Sequence, residues 1–299
     1  MAKKIIDDEF ISKLEMISLD ISKPMQGYFG GSHRVKSYGN TVEFADFREY
    51  VLGDDLRKID WNLYSRFEKH YVKLFVDERQ MHVQIFIDGS ASMLGSNKQK
   101  AYCALKMAAG IAFLAVRSMD KVSFRLLQGD TCPDLCGTVN GTDAFNRAVL
   151  SLENIKFQGE TDFNAAVMNC ENVGYNDGLT IIISDFLTKS DWKAAVEYLL
   201  YRKRQVLLIQ VLSPEELDPT YNGRIFLKDS EAEEITDLRN MKMRITPAAF
   251  KAYRQALDEY IDDMKDFCAK RAVDYVLADS SEPVEITLLN KLTEIGIIK

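Results

Sequence analysis

Two stretches of this chain constrain its fold more than any others. "LTIIIS" (Leu179–Ser184) and "VLLIQVL" (Val206–Leu212) are apolar at nearly every position rather than at every second one. A strand that is apolar on both faces has to be covered on both, which is the situation of a parallel strand sandwiched between helices. Between the two runs a helix beginning at Ser190 and reaching about Lys203 supplies the long crossover that parallel strands require. Val83–Ile87 reads as an earlier strand of the same kind. It is followed by a helix over Asn97–Ser118, whose Ala101, Leu105, Ala108, Ala112 and Ala115 share one face.

The alternation continues with a strand at Val122–Leu127, a helix at Asn140–Leu152 and a helical stripe of Phe163, Ala166, Val167 and Cys170. A last long helix is announced by Thr246 as cap, Pro247 in the first turn and the staple pair Ile245 and Phe250. Its apolar face runs through Tyr253, Leu257, Ile261, Met264 and Cys268. A strand at Tyr275–Ala278 and a closing helix to about Ile295 follow. This order predicts an α/β fold over residues 81–299, a mostly parallel sheet with helices on both faces. A hairpin insertion near 222–240, with its turn at Asp229–Ala232, interrupts it. Residues 1–80 lack the alternation: a helix near Phe10–Ile21, a glycine-containing loop, then "REYVLGDDLRKIDW". They are expected to form an N-terminal extension packed on the main domain.

Composition narrows the partners. The net charge of −7 disfavours general attraction to nucleic-acid phosphates or anionic lipid. The longest strongly apolar stretch, Met107–Val116, is far shorter than the roughly 20 residues a bilayer span needs. "MAKKIIDDEF" places acids where a signal peptide needs an apolar run, so the expected location is cytoplasmic. Cys103, Cys132, Cys136, Cys170 and Cys268 have unrelated spacings that suit reduced thiols and complete no zinc set. His33, His70 and His82 show no ligand spacing either, and His82 is expected at a strand start with its polar edge satisfied.

The chemistry concentrates where the strands end. "FIDGSASML" closes the Val83–Ile87 strand with Asp88, Ser90 and Ser92 at alternate positions, and alternate side chains of an extended loop point the same way. "QGETDF" adds Thr161 at a helix start, and "IIISDF" adds Asp185 at the end of a buried strand. In open α/β sheets ligands bind beyond the carboxyl ends of the strands. If the three loops meet there, two carboxylates and three hydroxyls form a set of hard oxygens suited to magnesium, or manganese in its place. Two carboxylates neutralise one divalent ion and leave a coordination position for a partner's carboxylate. The plainer alternative is that Ser90 and Ser92 cap the next helix. Asp162 is expected to cap a helix and not to be a ligand.

Asp88-x-Ser90-x-Ser92, Thr161 in Gly-x-Thr-Asp, and Asp185 in Ser-Asp-Phe together resemble the metal-ion-dependent adhesion site of von Willebrand factor A domains. With "REYVLGDDLRKIDW", Arg48–Trp61, the chain is similar to the bacterial proteins called domain of unknown function 58. The resemblance covers roughly residues 27–290. It implies a Rossmann-like fold, magnesium at the site and a role as a protein-interaction module. It also implies a partnership with a MoxR-type AAA+ ATPase in assembling or activating other proteins. The sequence departs from many relatives at Glu160, where they have glycine; this acid either strengthens the site or crowds an incoming carboxylate. Two function classes stay open. One is a non-catalytic module that recognises an acidic side chain; the other is a metal-dependent hydrolase of phosphate esters. The Arg48–Trp61 signature itself is read as structural, with Asp54 and Asp55 at a helix start, Arg57 paired to Asp60, and Trp61 packed.

Overall fold

The computed structural model of the chain describes residues 5–15, 43–52, 54, 56–76, 81–95, 98–171, 173, 178–219, 223–227, 241–245 and 247–294. The chain forms two compact units, one made of residues 1–21 and 81–299 and the other of residues 22–80. Helix α1 (Asp8–Leu14) precedes the smaller unit and is N-capped by Asp7, which accepts the Phe10 N–H at 2.8 Å. The residues that would extend it to Ile21, and the glycine-containing loop, lie outside the described residues.

In the smaller unit β1 (Glu43–Glu49) pairs antiparallel with β2 (Tyr71–Val76), Glu49 opposite Tyr71. Between them come a 3-10 turn at Leu56–Lys58 and α2 (Trp61–Phe67). Asp60 makes the helix possible: its carboxylate accepts the Asn62 and Leu63 N–H groups and pairs with Lys73 at 3.0 Å. The described ion-pair partner of Asp60 is thus Lys73, on the neighbouring strand. Asp54 does not start a helix. It accepts from Arg48 at 2.8 Å and from the Val51 N–H at 2.9 Å, closing the turn after β1. Trp61 is more than half exposed, with its ring edge-on to Tyr64 and His70.

The larger unit holds five parallel strands: β3 (His82–Asp88), β4 (Lys121–Leu127), β5 (Leu179–Ser184), β6 (Gln205–Leu212) and β9 (Asp274–Asp279). Their order across the sheet is β4-β3-β5-β6-β9. Alternate residues of the apolar runs serve two cores, which is why the runs do not alternate with polar residues. Ile85, Ile87, Ile181 and Ile183 face α3 (Gln99–Arg117), α4 (Thr142–Glu153), α1 and the closing helical segment. Phe86, Ile182 and Leu208 face α5 (Phe163–Met168), α6 (Trp192–Tyr201) and α8 (Pro247–Lys270). Each such buried aliphatic or aromatic side chain contributes about 1.5–3 kcal/mol.

After β6 a single turn of helix, α7 (Pro214–Leu217), carries a complete capping box between Ser213 and Glu216. A hairpin follows as β7 (Gly223–Leu227) and β8 (Met241–Ile245), antiparallel with Gly223 opposite Ile245, its second strand lying beyond the 222–240 bounds expected from the sequence. Its turn, and the Thr246 cap, lie outside the described residues. The closing segment runs over 284–294 as α9 (Val284–Ile286), a π-helical turn at Thr287–Lys291 and α10 (Leu292–Glu294). Helix α6 starts two residues later than its sequence suggests. Asp191 caps it, while Ser190 donates to Asp162 instead. Among the described residues no helix is long and apolar enough to cross a membrane.

Strand order fixes where a site belongs. From β3 the chain passes through α3 to β4 on one side, and from β5 it passes through α6 to β6 on the other. The two connections leave adjacent strands in opposite directions and open a crevice at their carboxyl ends, where α/β sheets bind ligands. Asp88 ends β3 and Asp185 directly follows β5.

Candidate metal centre

Asp88 is 2 % exposed at the carboxyl end of β3, where its carboxylate gathers three hydrogen bonds. Its Oδ1 accepts the Ser90 N–H at 2.9 Å and the Thr161 hydroxyl at 2.8 Å, and its Oδ2 accepts the Ser184 hydroxyl at 2.5 Å. Burial, and after it the neighbouring Asp185 charge, push the Asp88 carboxyl above the usual carboxylate range, and these three hydrogen bonds oppose the shift. The loop that carries Ser90 and Ser92 is pinned on both sides. Gly89 donates its N–H to Leu127 at 2.8 Å and accepts from Gln158, while Ala91 donates to Gly159. A Cβ on Gly89 would lie 3.0 Å from the Leu127 carbonyl, so this close approach suits glycine.

The plain capping alternative does not describe Ser90. It stands at the N-cap of the 3-10 turn Ala91–Leu94 but its side chain makes no cap hydrogen bond. Instead Ser90 Oγ and Ser92 Oγ lie 2.9 Å apart, but Ser92 sits within the 3-10 turn Ala91–Leu94, so the turn and not the extended loop expected from the sequence brings the two hydroxyls together. Thr161 arrives from the loop before α5, which runs alongside Gly129: the Gly129 N–H donates to Glu160 and the Asp162 N–H donates to Gly129. Asp162 itself caps α5 through the Ala165 N–H at 3.2 Å, as expected. Asp185 has its Oδ1 on the Leu187 N–H at 3.0 Å and its backbone carbonyl on the Gln210 amide at 2.9 Å. Ser92, Thr161 and Asp185 line one open cleft of about 730 Å³, with Glu160 on its rim.

The structure therefore links Asp88, Ser90, Ser92 and Thr161 by direct or shared hydrogen bonds and sets Asp185 in the cleft that Ser92 and Thr161 line, while Asp88 and Ser90 are buried and do not line it. Among the described residues no three His, Cys, Asp or Glu side chains cluster as a metal site. A cation held here would rest on hydroxyl oxygens as much as on carboxylates. The donor set fits such an ion: every candidate atom is a hard oxygen, as magnesium and manganese require, with no thiol or imidazole among them.

Three participants are missing from the sequence reading. Ser184 is the residue just before Asp185, and its partner becomes evident only when β3 and β5 are known to be neighbours. Lys100 is 1 % exposed, with its Nζ 2.8 Å from Asp185 Oδ2 and 2.6 Å from Glu216 Oε1. Burial opposes the ammonium charge, but the Asp185 and Glu216 carboxylates outweigh it and hold Lys100 above the usual lysine range. A signal for Lys100 existed: it stands four residues before Ala104 and eight before Ala108, on the apolar face of α3. Glu216 could have been noticed as the last residue of a Ser-x-x-Glu capping box directly after a strand.

Comparison with known proteins places the chain. An uncharacterized protein of Mycobacterium tuberculosis is 23% identical over 232 residues, which is 76% of this chain and 73% of that protein. Its counterpart in Mycobacterium bovis matches to the same extent. Among solved structures, an aerotolerance-related membrane protein from Bacteroides fragilis overlaps 72% of this chain and 99% of its own, at 15% identity and a TM-score of 0.41. A von Willebrand factor type A protein from Catenulispora acidiphila covers 48% of this chain and 35% of its own, at 10% identity and a TM-score of 0.33. Proximal thread matrix protein 1 from the mussel byssus, with a zinc-occupied MIDAS motif, covers 44% of this chain and 38% of its own, at 13% identity and a TM-score of 0.35. The family described as protein of unknown function DUF58 matches residues 46–259, most of the chain, and this protein belongs to that family.

Proposed function

We propose that the protein is a non-catalytic, magnesium-dependent interaction module that takes the carboxylate of an acidic side chain on a protein partner. The observation that carries this reading is the buried Asp88 carboxylate, held by Ser90, Thr161 and Ser184, with Thr161, Ser92 and Asp185 lining one cleft. Asp88, Ser90, Ser92, Thr161 and Asp185 would hold the ion. Bound there, magnesium would supply a Lewis-acidic position open to an anionic oxygen. Neutral hydroxyls leave most of the ion's charge available to that oxygen. Lys100 supports the non-catalytic half of the proposal: its ammonium is locked between two carboxylates and has no lone pair to serve as a general base. The same reading includes a MoxR-type AAA+ ATPase as co-worker in protein assembly or activation, and a cytoplasmic location.

The test is calorimetric titration of magnesium into the full chain, followed by co-purification with a MoxR-type ATPase in magnesium and in chelator. The expected result is one saturable site, abolished by Asp88→Ala, with co-purification lost in chelator and in the variant. Partner binding that survives both treatments overturns the proposal, and so does metal-dependent release of phosphate from generic phosphoesters.

A further inference from the structure

Lys100 raises a question that the adhesion-site reading leaves unanswered. A lysine that is 1 % exposed at the base of an anionic cleft costs much to bury unless it is fully paired, and Lys100 is paired with two acids instead of one. Asp185 and Glu216 reach it from different elements, the end of β5 and the turn of α7, and both line the cleft that Ser92 and Thr161 line. Glu216 is fixed at each oxygen: Oε1 accepts from Lys100, and Oε2 accepts the Ser213 N–H at 2.8 Å. The carboxylate is therefore oriented by its cap and its lysine together, 27 % exposed on the cleft side.

Without the lysine, Asp88, Asp185 and Glu216 would place three negative charges around one divalent ion, and the third acid would be drawn to the position meant for a partner. With it, three negative charges face three positive ones, the ammonium and the ion together. We infer that Lys100 is a built-in counter-ion that keeps Glu216 off the metal, so that the position a partner's carboxylate would fill stays open. The inference rests on the adhesion-site reading and adds to it the residues that hold that position free. Lys100 and Glu216 are positioning residues in this scheme, not ligands.

Manganese alone, titrated into the full chain, is the probe, with affinity read by calorimetry and bound waters counted by water-proton relaxation. In Lys100→Met, Glu216 takes the vacant position. Manganese affinity is expected to rise about ten-fold while one bound water is lost. Adding Glu216→Gln to Lys100→Met is expected to reverse both changes. Glu216→Gln alone leaves the ammonium entirely on Asp185 and is expected to weaken manganese binding about three-fold or more. A folded Lys100→Met chain with unchanged or weaker affinity overturns the inference. So does a gain that persists in the double variant, or an unchanged water count. If Lys100→Met does not fold, Glu216→Gln decides: unchanged or tighter binding overturns the inference. Manganese binding that Asp88→Ala abolishes and Lys100→Met leaves alone sinks only this inference. A wild-type chain that takes up no manganese sinks the adhesion-site reading and this inference with it.

Discussion

His82, at the opposite end of β3 from Asp88, shows how a single side chain ties this fold to pH. Its Nε2 lies 3.0 Å from Ser123 Oγ on β4, and its carbonyl accepts from Arg204 at 2.7 Å. Burial, and then the positive charges of Arg204, Arg125 and Lys121, pull its pKa from the ordinary 6.5 to about 4, with Asp134 opposing. The unfolded chain therefore binds a proton between about pH 6.5 and 4 that the folded chain refuses. The stabilisation is fully present above about 6.5 and is lost as pH falls toward 4. Urea midpoints at pH 7 and pH 5 are expected to differ less for His82→Gln than for wild type; an equal difference counts against the assignment. Satisfaction of this strand-start histidine was legible in the sequence. Lys100 was not, because a charged residue on an apolar helical face finds its partners only through the packing of distant elements. Asp88, Ser90 and Ser92 could be read because their pattern is local in the chain, although Ser92 is carried by a 3-10 turn and not by the extended loop that a period of two implies. What Ser184 and Glu216 do depends on which strands are neighbours and how a capping box is turned, which no local pattern states.

At the scale of elements, the start of the sheet is built around a buried cation. Arg204, 1 % exposed at the entry to β6, donates to Thr180 Oγ1 at 3.0 Å and to the carbonyls of Leu179 and His82 at 2.8 and 2.7 Å. It donates to backbone carbonyls of β5 and β3 where those strands begin, acceptors whose burial calls for hydrogen-bond partners. Gly178 leaves the space this requires. A Cβ there would stand 2.5 Å from the His82 carbonyl oxygen and closer still to the Arg204 guanidinium. Gly178→Ala is expected to cost about 1–3 kcal/mol, read as a lower urea midpoint at unchanged slope. An unaltered midpoint would mean that the strand starts yield without loss. The strands themselves were the most legible part of the fold, since β5 coincides with the run Leu179–Ser184. Helix starts were less so, because Ser190 and Asp191 are both good caps, and the Ser190 hydroxyl is taken up by tertiary bonds, donating to Asp162 and accepting the Phe163 N–H.

For the whole molecule, the decisive feature is which segments share a core. Helix α1 lies within the stretch read from sequence as the 1–80 extension, yet Phe10 and Leu14 are buried in the core of the larger unit, at 0 % and 1 % exposure. The helix packs where α3 has no side chain: a Cβ on Gly110 would meet Phe10 Cζ at 3.1 Å and Leu288 Cδ1 at 2.8 Å. Lys106 lies 4.3 Å from the centre of the Phe10 ring and pairs with Glu285 at 3.1 Å, joining α1, α3 and the closing segment. Sequence reading could not assign α1 to this core, because Gly110 looks like a flaw in a helix until the ring that fills its place is known. It follows that residues 81–299 alone are an incomplete folding unit. A fragment starting at Met81 forgoes the burial of Phe10 and Leu14, worth about 3–6 kcal/mol at roughly 1.5–3 kcal/mol each. Phe10→Ala in the full chain isolates the larger share, and it is expected to cost about 3–5 kcal/mol with the secondary structure at 25 °C intact. If the Phe10→Ala chain unfolds in urea at the wild-type midpoint, α1 is an ornament of the larger unit and not a part of its core.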